Sequence, residues 1–218
     1  MKSDPLPPLP LGRAALIFIE FQREWLDMDA PLRRKLVVDG KAFNKAIAKA
    51  SDLIGAARSA RLPIVHAGLD LTSDPHYTLF GTTRSIANTG LRAAIPSAKT
   101  WTADRANFSP PFEPLAREFV VKGRSGASVL KNSNLDAYLR NNDIRTIYLC
   151  GFATHVCVES TLREAHDLGL DAWLVADCCA AFTAAQHDHV LEHVVHHFGR
   201  CIKSETLIAA MEARPCSS

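Results

Sequence analysis

The chain has 218 residues, of which 47% are apolar and 22% charged, and its formal net charge is +2. This is the balance of a water-soluble globular domain with enough material for a sizeable core. Near-neutrality gives no electrostatic case for nucleic acid, and no apolar run is long enough to span a bilayer.

The N-terminal stretch MKSDPLPPLPLG is broken by prolines and has no apolar h-region. It reads as an extended arm over residues 1–12, not as a secretory signal, ahead of one domain over 13–218. The six cysteines are Cys150, Cys157, Cys178, Cys179, Cys201 and Cys216. Most fall on or beside expected core strands, two are adjacent, and none form a C-x-x-C pair. Free thiols in a cytoplasmic protein are therefore expected, with neither disulfides nor a zinc ribbon.

Arg13–Ile19 is a continuous apolar run without alternation, as expected for a strand covered on both faces in a parallel sheet. Glu20-Phe21-Gln22 follows at its carboxyl end, where open α/β sheets place their ligands. Residues 41–60 repeat Phe43, Ile47, Ala50, Ile54 and Ala57 at helical spacing. Leu62–His66 reads as a second strand. A long polar loop follows, containing His66, Asp70, Asp74 and His76 and running to Gly90. It has the length of a pocket wall. Residues 92–117, with Pro96, Pro110, Pro111 and Pro114, read as irregular. Glu118–Lys122 reads as a third strand ending on a lysine, and Leu135–Asn142 as a short helix.

The stretch RTIYLCGFATHVCVESTLREAHDLG, residues 145–169, carries the most information. Thr146–Leu149 reads as a buried strand and Gly151 as its break. Thr154 is placed as an N-cap, and Gly169 as the residue that closes the helix. Cys157 then falls in the first helical turn, where unpaired N–H groups and the helix dipole favour a thiolate. Position alone leaves two readings: an activated nucleophile, or a small buried residue filling a helix–sheet contact. Asp171–Asp177 reads as a further strand, 180–197 as a helix stopped by Gly199, and Cys201-Ile202 as a last short strand. The alternation of strands and helices indicates an α/β fold with a mainly parallel sheet.

GFATHVCVEST resembles the G-[VF]-x-T-x-x-C-V-x-x-T signature of the isochorismatase-like cysteine hydrolases, which include nicotinamidases, carbamoylsarcosine amidases, and ureidoacrylate and biuret hydrolases. IEFQREW is similar to the family's IDxQxxF after the first strand, with Glu20 where the family has Asp. Lys122 matches the family's strand-end lysine. Ser128-Val129-Leu130 and Asn132–Leu135 resemble S-A-F and G-T-x-L, with a surplus of about two residues after Lys122. The resemblance runs from about residue 14 to 207. It implies a three-layer α/β/α sandwich with a mainly parallel six-stranded sheet, and a catalytic triad of Glu20, Lys122 and Cys157.

The resemblance further implies an oxyanion hole from the backbone N–H groups of Ala153 and Cys157, beside a cis Phe152–Ala153 peptide. Gln22, Trp25 and Phe152 are implied as pocket residues, with pocket walls from residues 66–112. The implied reaction is cleavage of a C–N bond in a small amide or ureido compound through a thioester. Lys122 is expected to lower the Cys157 pKa. Vinyl-ether hydrolysis, or binding without catalysis, are the alternatives. No cofactor, nucleic acid or membrane partner is expected, and the family points to a homo-oligomer, dimeric or tetrameric. Metal-dependent relatives carry an Asp-x-His pair and a further His after the second strand. His66, Asp70, Asp74 and His76 do not have that spacing, so no metal is expected. His187, His189, His193, His196 and His197 are read as a solvated or subunit-facing side of a helix.

Overall fold

The computed structural model describes residues 9–80 and 90–213. Six strands form one sheet: β1 (Ala14–Ile19), β2 (Ile64–Ala67), β3 (Phe119–Val120), β4 (Thr146–Phe152), β5 (Asp171–Ala180) and β6 (Arg200–Ile202). Their order is β3-β2-β1-β4-β5-β6, and every pairing is parallel. β1 lies at the centre, with Leu16 opposite Ile64 on one side and Tyr148 on the other. All six of its residues are buried, which is why its sequence shows no alternation.

Nine α-helices occur among the described residues: α1 (Arg23–Leu26), α2 (Pro31–Leu36), α3 (Gly40–Ser59), α4 (Leu91–Ala98), α5 (Leu135–Asn141), α6 (Glu159–Asp167), α7 (Ala184–His193), α8 (Val195–Phe198) and α9 (Ser204–Glu212). With the sheet they make a three-layer α/β/α sandwich. α3 and α9 pack together, and α6 packs with α8. α3 buries Phe43, Ala50, Ile54 and Ala57 of the expected stripe, with Ala46 and Leu53 beside them and Ile47 only partly covered, and Asp39 caps it by accepting the Ala42 N–H at 2.9 Å. Among the described residues no helix is long and apolar enough to cross a membrane.

Several sequence expectations change. Residues 1–8 of the expected arm lie outside the described residues, and Leu11 packs into the core. α4 occupies the start of the segment read as irregular, with Pro96 inside it. α9 was not expected: its first N–H is capped from afar by Asp177, which accepts from Ser204 N at 2.8 Å and Oγ at 2.7 Å. β5 runs on to Ala180, because a register shift opposite Leu149 and Gly151 lets Cys179 and Ala180 pair with Gly151 and Phe152. The helix expected over 180–197 breaks at Val194. That break sets His197 on α8 apart from His189 and His193, whose rings stay 5.2 Å apart on α7, and His187 turns inward to Thr154.

The polar residues after β2 are spent on local structure. Asp70 accepts from Thr72 N, and Asp74 from the N–H groups of Thr78 and Leu79. His66 is fully buried within β2 and bonds Glu118 at 2.7 Å, while Arg58 meets the same carboxylate at 2.8 Å. Burial lowers the His66 pKa, so the ring is neutral. Burial alone would raise Glu118, but bonds from Arg58, the Leu115 N–H and His66 hold it at about 2. Its contribution to stability is therefore complete above the ordinary value of 4.5 and is lost as pH falls from there towards about 2. Glu118→Gln is expected to cost about 3 kcal/mol at pH 7. Thermal melts between pH 6 and 3 should show a steep loss in the wild type and a flatter one in the variant. Parallel slopes would remove Glu118 from the account.

Candidate active site

The sheet order reverses between β1 and β4, and in open α/β sheets the crevice at such a point takes the ligand. Glu20 follows β1 directly. Its φ of 60° is a left-handed conformation that a non-glycine residue holds only where the surroundings fix it. Its N–H donates to Ala67 O at 2.7 Å, and its carboxylate is buried. The strands approach closely here: any Cβ on Gly151 would overlap the Ile19 carbonyl oxygen, and Gly151 holds φ 136°.

Cys157 follows β4. The Phe152–Ala153 peptide is cis. The helix then begins with a wide π-type turn, Thr154–Val158, in which Ala153 O accepts from Val156 N at 2.9 Å and Val158 N at 3.4 Å. Thr154 does not cap this helix. Its hydroxyl is 2.9 Å from His187 Nδ1. The Cys157 carbonyl accepts from Thr161 Oγ1 at 2.7 Å, and Thr161 in turn accepts from Val129 N at 3.1 Å. This chain of bonds ties the turn to the loop after β3.

The two side chains meet. Cys157 Sγ donates to Glu20 Oε1 at 3.1 Å, and Trp25 Nε1 donates to Glu20 Oε2 at 2.7 Å. The cation beside them is Arg124, whose Nη2 lies 2.7 Å from Glu20 Oε1 with both side chains buried. Nε and Nη2 of Arg124 also donate to the carbonyls of Gly126 and Ala127, at 3.0 and 2.9 Å. Nη1 is buried without a partner. Lys122 is not part of this group. It is exposed two residues past the end of the short β3, with its N–H on Asn134 Oδ1 at 2.8 Å. It borders a neighbouring cavity of about 760 Å³, which shares Leu69, Leu79, Arg124 and Ser125 with the cavity at Cys157.

Burial pushes the Cys157 thiol well up, and the Glu20 carboxylate adds to the effect, together outweighing Arg124. The resting group is thus a thiol donating to a carboxylate, the reverse of the thiolate that a first-turn position suggested. Burial opposes the charge on Arg124, but the Glu20 carboxylate offsets it and the Arg124 pKa is raised.

Glu20, Arg124, Ala153 and Cys157 open on a cavity of about 300 Å³. Of the expected pocket residues, Trp25 lines it. Phe152 does not: it is fully buried, stacked on Phe43 with ring centres 4.6 Å apart. Gln22 braces loops beneath the site, donating to Leu69 O at 2.7 Å and to Ala106 O and accepting from Leu69 N at 2.9 Å. Gly68 leaves it room, since a Cβ there would sit 2.6 Å from Gln22 Cδ. Arg92, Ile95 and Trp101 also line the cavity, as does Phe182, which was not expected from sequence. Among the described residues no cluster of three or more His, Cys, Asp or Glu side chains is placed to hold a metal.

The isochorismatase family protein YecD of Escherichia coli is 34% identical over 92 residues, which is 42% of this chain and 48% of that protein. The match thus spans about half of YecD. Ureidoacrylate amidohydrolase RutB of Variovorax paradoxus is 28% identical over 203 residues, 79% of this chain and 72% of RutB. The crystal structure of a cysteine hydrolase from Pseudomonas syringae superposes with a TM-score of 0.77 at 21% identity, covering 97% of this chain and 99% of that one, and so shares the fold. The Isochorismatase domain profile matches residues 14–206, nearly the whole sheet and its helices, and the chain belongs to the isochorismatase family.

Proposed function

We propose that the protein is a cysteine hydrolase that cleaves the C–N bond of a small amide through Glu20, Arg124 and Cys157. The observation that carries this reading is the shared oxygen: Glu20 Oε1 accepts the Cys157 thiol at 3.1 Å while Arg124 holds it at 2.7 Å. A buried acceptor aimed at a thiol is a general base in position. The amide class draws support from similarity to RutB, named for amidohydrolysis of ureidoacrylate.

In the proposed reaction Glu20 takes the thiol proton as Cys157 Sγ bonds the substrate carbonyl carbon. The carbonyl oxygen becomes an oxyanion. Arg124 Nη1, a buried donor without a protein partner, and the N–H groups of Ala153 and Cys157 stabilise it. As the intermediate collapses the C–N bond breaks, and the leaving nitrogen takes the proton from Glu20. Glu20 then takes a proton from water, which attacks the thioester. The acid is released, and the sulfur recovers its proton from Glu20.

The arrangement balances charge throughout. Arg124 stays cationic beside one negative charge, which moves from Glu20 to the oxyanion and back. Primary amides and ureido acids are to be tested for ammonia release, with intact-mass analysis after acid quench. Ammonia together with an acyl adduct on the peptide containing Cys157 is expected. Turnover without that adduct, or no turnover of any amide, would end the proposal.

A further inference from the structure

The lining of the site cavity is mainly apolar. Trp25, Trp101, Ile95 and Phe182 form much of it, and its charged members are Glu20, Arg124 and Arg92. Glu20 and Arg124 are committed to each other. Arg92, on α4, is exposed and makes no ion pair or hydrogen bond among the described residues. Trp101 is 2% exposed, and its indole N–H is buried without a partner. Trp25 by contrast uses its N–H on Glu20.

Among the described residues that line this cavity, three carry donors without a partner: Arg124 with Nη1, Trp101 with Nε1, and Arg92 with its guanidinium. A buried donor without a partner costs free energy unless a ligand supplies an acceptor. The scissile carbonyl accounts for the first. The second and third call for a further acceptor on the ligand, and a cation among apolar walls favours an anionic one.

We infer that the substrate is an amide with an apolar body and a second, anionic acceptor group away from the scissile bond, a carboxylate held by Arg92 and the Trp101 indole N–H. This rests on the proposed hydrolysis for its scissile end but not for its binding end. It differs from a small polar ureido acid in requiring the apolar spacer. Arg92 and Trp101 are then specificity-determining residues that sort substrates by what lies at the far end.

Binding and turnover separate the two claims. Three probes are used at pH 7.5: 4-carbamoylbenzoate, its uncharged counterpart of similar size 4-isopropylbenzamide, and 3-ureidopropionate as the small polar acid. Affinities are measured by calorimetry on Cys157→Ala protein, which holds the amide intact, and ammonia release is measured on the wild type. The carboxylate is expected to bind about 10-fold tighter than the isopropyl compound and tighter than the ureido acid. Adding Arg92→Gln, or Trp101→Phe, which keeps the ring and removes the N–H, should each erase most of that preference. Circular dichroism confirms that the variants are folded, and the ratio of affinities, unlike either affinity alone, is unmoved by general loosening. Equal binding of the two benzamides overturns the inference, as does a preference surviving both substitutions or stronger binding of the ureido acid. Preferential binding without ammonia release overturns the hydrolytic reading and leaves the binding assignment supported.

Discussion

Cys157→Ala is expected to lower amide turnover by about 10⁴-fold or more, since loss of a nucleophile removes the whole covalent route. Its stability should change by only about 1 kcal/mol. The second figure makes the first interpretable. The substitution removes one weak donor from Glu20, and the Arg124 and Trp25 contacts to that carboxylate remain. Glu20→Gln should also abolish turnover, but it leaves the Arg124 guanidinium buried without a counter-charge. Breaking one side of such a pair costs about 3–5 kcal/mol. A dead Glu20→Gln enzyme could therefore be a damaged one, whereas a dead Cys157→Ala enzyme could not. Urea unfolding of both variants beside their kcat values makes the comparison. Wild-type turnover in Cys157→Ala would remove the sulfur from the mechanism.

The parts of this site that could be read from sequence were fixed by local chain geometry. Glu20 and Cys157 each follow a strand whose apolar run marks it as central, so both could be placed on the sheet's ligand-bearing rim without knowing the sheet order. The parts that could not be read depend on contacts distant in sequence. A charged residue at a strand end is indistinguishable in sequence from one that has turned inward, and Lys122 and Arg124 differ only in that respect. One signal was present. The segment after Lys122 is about two residues too long for the family's spacing to Ser128, and counting back from Ser128 without that surplus lands on Arg124. The same limit hid α9, whose cap comes from Asp177 on another element. It also hid Phe152, whose side chain packs on Phe43 of α3 instead of facing the cavity. The raised Cys157 pKa was invisible for a related reason: position in a helix can be read from sequence, but burial beside a carboxylate cannot.

Exchanging cations distinguishes the two candidates. Arg124→Met should cost about 3–5 kcal/mol by leaving the buried Glu20 carboxylate without its counter-charge, and should lower kcat about 100-fold or more. The loss has two sources. Without the guanidinium nothing holds Glu20 Oε1 in place beside the thiol, and the oxyanion loses the Nη1 donor. Arg124→Lys should recover only part of the activity. A single ammonium on a shorter stem cannot meet Glu20 and the Gly126 and Ala127 carbonyls together while leaving a donor for substrate. Lys122→Met, at an exposed residue, should stay within about 0.5 kcal/mol of the wild type and keep its turnover. Removing both charges in Glu20→Leu/Arg124→Met should return stability towards the wild type, since an apolar pair of similar volume is no worse than a buried ion pair, while activity stays absent. That double variant tests the pair's electrostatics through stability alone, since it lacks the base: a protein no more stable than Arg124→Met would show that the loss there is one of packing. If Lys122→Met loses turnover while Arg124→Met keeps it, the exposed lysine acts on the substrate after all, and the buried arginine only fills space under Glu20.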